Sequence, residues 1–145
     1  MWDKIGWKRS PSFVVAKGFE PFSNRYRKDG GSYVAPVFAY RRTYGNSITG
    51  GYVFRGDKRS SFYGVYICGD YTSKRIWGVT HENRVLKTVR QIATSPQFIA
   101  SFGTDELGNI YAVGYEGMIY RLDLDDAIFD SSPNAATSQT RQGKQ

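Results

Sequence analysis

Cysteine occurs once in these 145 residues, as Cys68, and histidine once, as His81. A lone thiol cannot close an internal disulfide, and zinc sites of the usual kind draw on several Cys or His side chains. A single His also excludes most triad chemistry. Leucine is scarce, at Leu86, Leu107, Leu122 and Leu124 only, whereas Val and Ile together number 19. Helices favour Leu and Ala, so a helical bundle is excluded. No apolar run approaches the roughly 18 residues a membrane helix needs. No hydrophobic signal region follows Met1 either, so no signal peptide is expected. What is present instead is 11 Tyr, 9 Phe, 3 Trp and 16 Gly. Bulky apolar residues at that frequency exclude disorder for most of the chain, and the mixture points to an all-β fold with glycine at the turns.

Charge is unevenly spread. The chain carries 20 Lys+Arg against 13 Asp+Glu, a net charge of +7. Residues 1–50 hold nine basic and three acidic side chains (+6), residues 51–100 eight and three (+5), and residues 101–145 three and seven (−4). A basic body can attract nucleic acid by counterion release. Here no run of five like charges occurs, and Arg41–Arg42, Lys58–Arg59 and Lys74–Arg75 sit beside turns. The aromatics recur at strand positions rather than interleaving with cations on one face, as single-strand binding requires. A solvated surface with stems over aromatic rings fits better, and neither a nucleic-acid nor a membrane partner is expected.

The strand signals form two rounds. Val37–Tyr40 is a short apolar segment. Ser47–Phe54 reads as a strand with a bulge or a close approach at Gly50–Gly51. Gly64–Cys68 and Arg75–Val79 follow, with a Gly-Asp-Tyr turn between them, then the polar turn His81–Arg84 and an alternating strand from Val85 to Ile92. The second round is Phe98–Phe102, Asn109–Val113 and Met118–Leu122. Overlaying the rounds matches Tyr66 with Tyr111, Gly69 with Gly114, Ile76 with Ile119 and Trp77 with Tyr120, the second hairpin being two residues shorter. Repeats of about 40–45 residues with four strands each are what propeller blades show. Residues 1–46 then read as an incomplete blade with connecting loops, 47–124 as two blades, and 125–145 as a disordered polar tail. Four or more blades of about 42 residues exceed this length, so the chain reads as a piece of a propeller.

The segments Ser47-Ile48-Thr49-Gly50-Gly51-Tyr52-Val53-Phe54-Arg55-Gly56 and Tyr66-Ile67-Cys68-Gly69-Asp70-Tyr71-Thr72-Ser73-Lys74-Arg75-Ile76-Trp77 resemble "SITGGYVYRG" and "YIFGDYxSGRIW" of the glucose/sorbosone dehydrogenase-like family. That family includes soluble quinoprotein sugar dehydrogenases and the propeller of Hedgehog-interacting proteins. Ile99–Asp105 and Ile119–Leu122 are similar to its closing segment, and Ile5-Gly6-Trp7 with Gly18–Phe22 to an earlier one. The resemblance implies the last two blades of a six-bladed propeller. It also implies a periplasmic or secreted parent that oxidises sugar C1–H with pyrroloquinoline quinone (PQQ), a general-base His and Ca²⁺. The catalytic His of that family falls in earlier blades, and His81 does not match it, so no catalytic residue, resident cofactor or metal is expected in this chain alone.

Cofactor positions are expected at Thr72, where the family carries a quinone-contacting Lys, and at Lys74 and Arg75 as substitute cations. The family's Arg-x-Arg pair falls on Thr94-Ser95-Pro96. Asp70 is a candidate for a sugar hydroxyl or a cation, or equally an acceptor for turn N–H groups. Cys68, inside an apolar strand, reads as an inert thiol. Two functions remain: the closing part of an oxidoreductase of this quinoprotein type, or a non-catalytic propeller module that binds a carbohydrate or protein. Expected partners are the missing blades, or self-association, and a carbohydrate.

Overall fold

β-Branched and aromatic residues alternating between glycine-bearing turns build antiparallel strands throughout the part of the chain that a computed structural model describes, residues 16–17, 20–21 and 36–132. The chain divides into two units, Met1–Ala39 and Tyr40–Gln145. In the first, β1 (Ala16–Lys17) pairs antiparallel with β2 (Glu20–Pro21); the rest of the expected incomplete blade lies outside the described residues. The unit boundary falls before Tyr40 and not after residue 46, because Tyr40 and Ser47 are both tied to Asp70 in the second unit. Residues 36–47 form turns and irregular backbone, so Val37–Tyr40 is not a strand.

The second unit contains β3 (Ile48–Val53), β4 (Tyr66–Asp70), β5 (Arg75–Glu82) and β6 (Val85–Thr94) in one sheet of that order, and β7 (Ile99–Thr104), β8 (Ile110–Gly114) and β9 (Ile119–Arg121) in another. The protein is all-β, with no helix among the described residues. The register of β3 on β4 shifts between Thr49 and Tyr52, so the bulge falls at Gly50–Gly51. β4 starts later than expected, since Val65 N–H turns back to the Phe62 carbonyl, and Gly69 and Asp70 belong to the strand. β5 continues through Glu82, leaving a two-residue turn of Asn83 (φ 49°) and Arg84 (φ 66°). That backbone is the twist-matched hairpin turn which needs positive φ at both positions.

The second sheet lies face to face on the first, β7 running across β3 and β4. Antiparallel partners share a face, so Ile67 and Gly69 of β4 join Ile76 of β5 toward Ile99, Phe102, Ile110 and Ala112. Gly69 permits the approach. A Cβ there would stand 2.8 Å from Ile99 Cδ1 and 3.1 Å from Phe102 Cζ. The overlay of the two rounds is corrected by one residue in its first half. Tyr71 N–H donates to the Ser47 carbonyl as Tyr115 N–H does to that of Phe98, and Phe54 N–H to the Val65 carbonyl as Asp105 N–H does to that of Asn109, so Tyr66 corresponds to Ile110 and Cys68 to Ala112. Cys68 pairs with Trp77 and Ala112 with Tyr120, so the second hairpin is one residue shorter and Trp77 and Tyr120 hold equivalent places, as the overlay expects.

The polar tail is also corrected. Residues 125–132 pack on the β5–β6 half of the face that the second sheet covers elsewhere. Phe129 is 6% exposed, its ring 5.1 Å from that of Phe62, and it fills the space over Gly78. Phe129 N–H donates to Ser61 Oγ (2.7 Å), Thr88 Oγ1 donates to the Ser131 carbonyl (2.9 Å), and Arg90 pairs with Asp130 (3.2 Å). One buried apolar side chain in an Asp/Ser-rich stretch leaves no periodicity, yet burying it stabilises the fold by about 1.5–3 kcal/mol. Residues 133–145 lie outside the described residues.

Two substitutions test this packing. Gly69→Ala sets a methyl against the tips of Ile99 and Phe102, which must shift, and is expected to cost about 1–3 kcal/mol in denaturant unfolding, as overpacking does. Arg84→Gly relieves a left-handed residue and is expected to raise stability by about 1 kcal/mol; an unchanged melting temperature would show that the turn carries no strain.

Candidate functional site

Antiparallel order brings four connections to one end of the two sheets. β3 and β7 begin there, β4 and β8 end there, and the hairpins 71–74 and 115–117 turn there, beside residues 40–47 and 95–98. Three of the sequence candidates, Thr72, Lys74 and Arg75, lie in or at the end of the first hairpin. Asp70 is the strand residue before it.

Asp70 is fully buried. Its Oδ2 accepts from Tyr40 OH (2.7 Å) and Ser47 N–H (2.6 Å), and its Oδ1 from Ser73 N–H (2.7 Å). Its position fixes the hairpin from within, since Lys74 N–H also closes on the Asp70 carbonyl (3.0 Å). A Cβ on Gly45 would strike the same carboxylate. Burial alone pushes the carboxyl pKa up, but the Ser73 N–H, Tyr40 and Ser47 N–H bonds outweigh it and hold the group below its ordinary value. Tyr40 moves the other way, raised by burial and then by its bond to the charged Asp70. Of the two readings of Asp70, the geometry is that of an acceptor for local donors.

Thr72 is exposed at the hairpin tip. Lys74, at φ 61°, sends Nζ to the Pro96 carbonyl (3.2 Å) and over the Phe98 ring (4.8 Å). Arg75 Nη1 donates to the Tyr44 carbonyl (2.9 Å), with the guanidinium 5.8 Å from the centre of that residue's ring. The two cations therefore lean on different connections, one before β7 and one before β3, and do not converge. A tricarboxylate needs several charge-assisted donors aimed at one place, so Thr72, Lys74 and Arg75 do not fit PQQ as a set. Among the described residues no group of three or more His, Cys, Asp or Glu side chains is placed to hold a metal ion.

The aromatic residues at this end were not singled out as site residues by sequence. Tyr71 stacks on Phe98 (5.2 Å, 19°) and meets Tyr115 edge-on (5.9 Å, 88°). Tyr115 N–H donates to the Phe98 carbonyl (2.8 Å), which ties the second hairpin to the start of β7, and the Tyr115 side chain is 68% exposed. Gln97 Oε1, packed against Gly114, and Ser73 Oγ are buried, and the Ser73 hydroxyl helps to hold the Asp70 pKa down. The available signal was position: Tyr71 and Tyr115 each directly follow the last residue of a strand, where a core residue is not needed.

His81 lies in β5, not in a turn, and is exposed at the opposite end of the sheet. Cys68 is buried, and desolvation pushes its thiol up to about 12, which leaves it protonated and inert at neutral pH. At the end opposite the aromatic cluster Asp105 makes a second carboxylate-centred turn, accepting from Leu107 N–H, Asn109 N–H and Tyr111 OH (3.0, 2.9 and 2.9 Å).

No family model matches this chain, and no solved structure matches it.

Asp70→Asn is expected to lower stability by about 2 kcal/mol at pH 7, the scale of hydrogen bonds to a charged acceptor. Because the folded pKa is depressed, the advantage of the wild type is full above the unfolded value near 4 and vanishes as pH falls through the folded value. Urea melts of both proteins from pH 7 to pH 2 check this; a constant difference across that range would exclude a charged Asp70 as the clasp.

Proposed function

We propose that the chain is the closing part of a glucose/sorbosone dehydrogenase-like six-bladed propeller, whose intact form oxidises a sugar or related carbohydrate with PQQ. In this reading its own contribution is carbohydrate recognition at the aromatic end of the two sheets. Support comes first from the repeat of stacked four- and three-stranded sheets, in the order the sequence resemblance implies. The observation that carries the binding role is the cluster of Tyr71, Phe98 and Tyr115, with the Tyr115 side chain exposed. Binding sites combine apolar and aromatic walls with a few convergent polar groups. A pyranose offers the complement, a C–H face to lie on an exposed ring such as that of Tyr115.

The divergence of Lys74 and Arg75 favours a second reading, a non-catalytic propeller module using the same carbohydrate surface. Both readings assign no proton abstraction to this chain: His81 is at the far end of β5, and Asp70 is committed to three donors.

Calorimetric titration of the chain with glucose and cellobiose is expected to give weak saturable binding, reduced at least fivefold by Tyr115→Ala. That exposed side chain contributes little to stability, so the variant should melt like the wild type. With PQQ, Ca²⁺ and an electron acceptor added, no sugar-dependent reduction is expected. Absence of binding by both sugars would overturn the carbohydrate reading, and turnover abolished by His81→Ala would overturn the assignment of catalysis elsewhere.

A further inference from the structure

The two sheets share strand order and direction, but the first has a fourth strand, β6, along the free side of β5, and the second has none along β9. β9 is bound to β8 through alternate residues: Leu122 N–H donates to the Ile110 carbonyl and Gly114 N–H to the Met118 carbonyl. Antiparallel alternation then directs the N–H and C=O of Ile119 and Arg121 away from β8. No described strand takes them up. The same short edge exposes apolar surface, with Met118 54% and Ile119 64% accessible. An unpaired edge of this kind is a template for strand addition.

Its chemistry specifies the partner. Residues 115–126 carry Glu116, Asp123, Asp125 and Asp126 against Arg121 alone, a local balance of 1 − 4 = −3. In the first sheet the strand at the equivalent edge, Val85–Thr94, has Lys87 and Arg90, no acid, and five β-branched residues of ten. We infer that the β9 edge is a docking site for a basic, β-branched extended strand of another polypeptide, which completes the second sheet as β6 completes the first. The inference rests on the repeat of the sheets and not on the carbohydrate reading. Loss of sugar binding and loss of strand binding are therefore separate results.

The probe is a fluorescent peptide with the sequence of residues 85–94, titrated with the full chain at low salt and followed by anisotropy, with amide exchange read residue by residue. Saturable binding is expected, with at least tenfold slower exchange at Ile119 and Arg121 and little change at Tyr120. Ile119→Pro removes only an outward donor, of the kind edge strands tolerate losing, and is expected to weaken binding at least tenfold. A peptide carrying Lys87→Glu and Arg90→Glu is expected to bind at least fivefold more weakly. No protection at Ile119 and Arg121 in the wild type would overturn the proposal irrespective of how the proline variant folds. Equal binding by the acidic peptide would overturn its charge requirement. Concentration-dependent protection of the same amides in the chain alone would overturn it in favour of a second copy.

Discussion

Ile99 and Phe102 come down on the backbone of Gly69 with no side chain between them, and the second sheet is held at the distance this contact sets. Sheets with ordinary side chains on both inner faces pack about 10 Å apart; a bare position on β4 lets two large apolar groups of β7 reach the strand itself. Thr49 Oγ1 then reaches the Ile99 carbonyl at 2.9 Å, so the close approach is also a polar tie between β3 and β7. From this contact follow the burial of Ile67 and Ile76 and the adjacency of the hairpins 71–74 and 115–117. The Tyr71, Phe98 and Tyr115 rings meet because the sheets do.

At the aromatic end, polar bonds do what the apolar contact does in the interior. Asp70 gathers an O–H and two N–H groups from two separate connections, and burial makes every one of those bonds costly to lose. Asp105 repeats the device at the other end with a different Tyr. Each carboxylate sits where the chain must reverse, and each draws a phenol from outside its own turn: Tyr40 for Asp70, Tyr111 for Asp105. A buried carboxylate in use as an acceptor is not available to a sugar. The candidate ligand surface is therefore the rings beside it.

Strand existence and order were legible because period-two alternation and glycine punctuation report directly on a half-buried pleated surface. All seven strands of the second unit lie where alternation places them, to within a few residues. Errors fell where a strand and a turn share residue types. Gly69 and Asp70 look like turn residues but are buried in β4, because glycine was needed for close approach and aspartate for local acceptance. The one-residue slip of Tyr111 against Tyr66 arose because residue identity was matched, whereas the bonds that flank the strands align Tyr66 with Ile110. Phe129 was missed since one buried residue beside an exposed Ile128 has no period. The ring cluster was missed for the opposite reason: in a chain with so many aromatics, none stands out until the topology brings its own neighbours to it. Lys74 and Arg75 were found as cations beside a turn, but their divergence is a property of side-chain direction that no spacing reveals.

The segment 125–132 closes the first sheet with partners far away along the chain. Ser60 reaches the Leu124 carbonyl, Ser61 reaches Ala127 and Phe129, and Thr88 reaches Ser131, separations of 64, 66, 68 and 43 residues. The β5–β6 hairpin can form early from neighbouring residues, yet half of its apolar face stays wet until the last part of the unit arrives. Contacts this distant slow the search for the native state, because loop-closure entropy must be met before they return anything. During synthesis the chain therefore spends the interval after β6 emerges with a sticky, half-covered sheet. The exposure of that face ends only when Phe129 arrives.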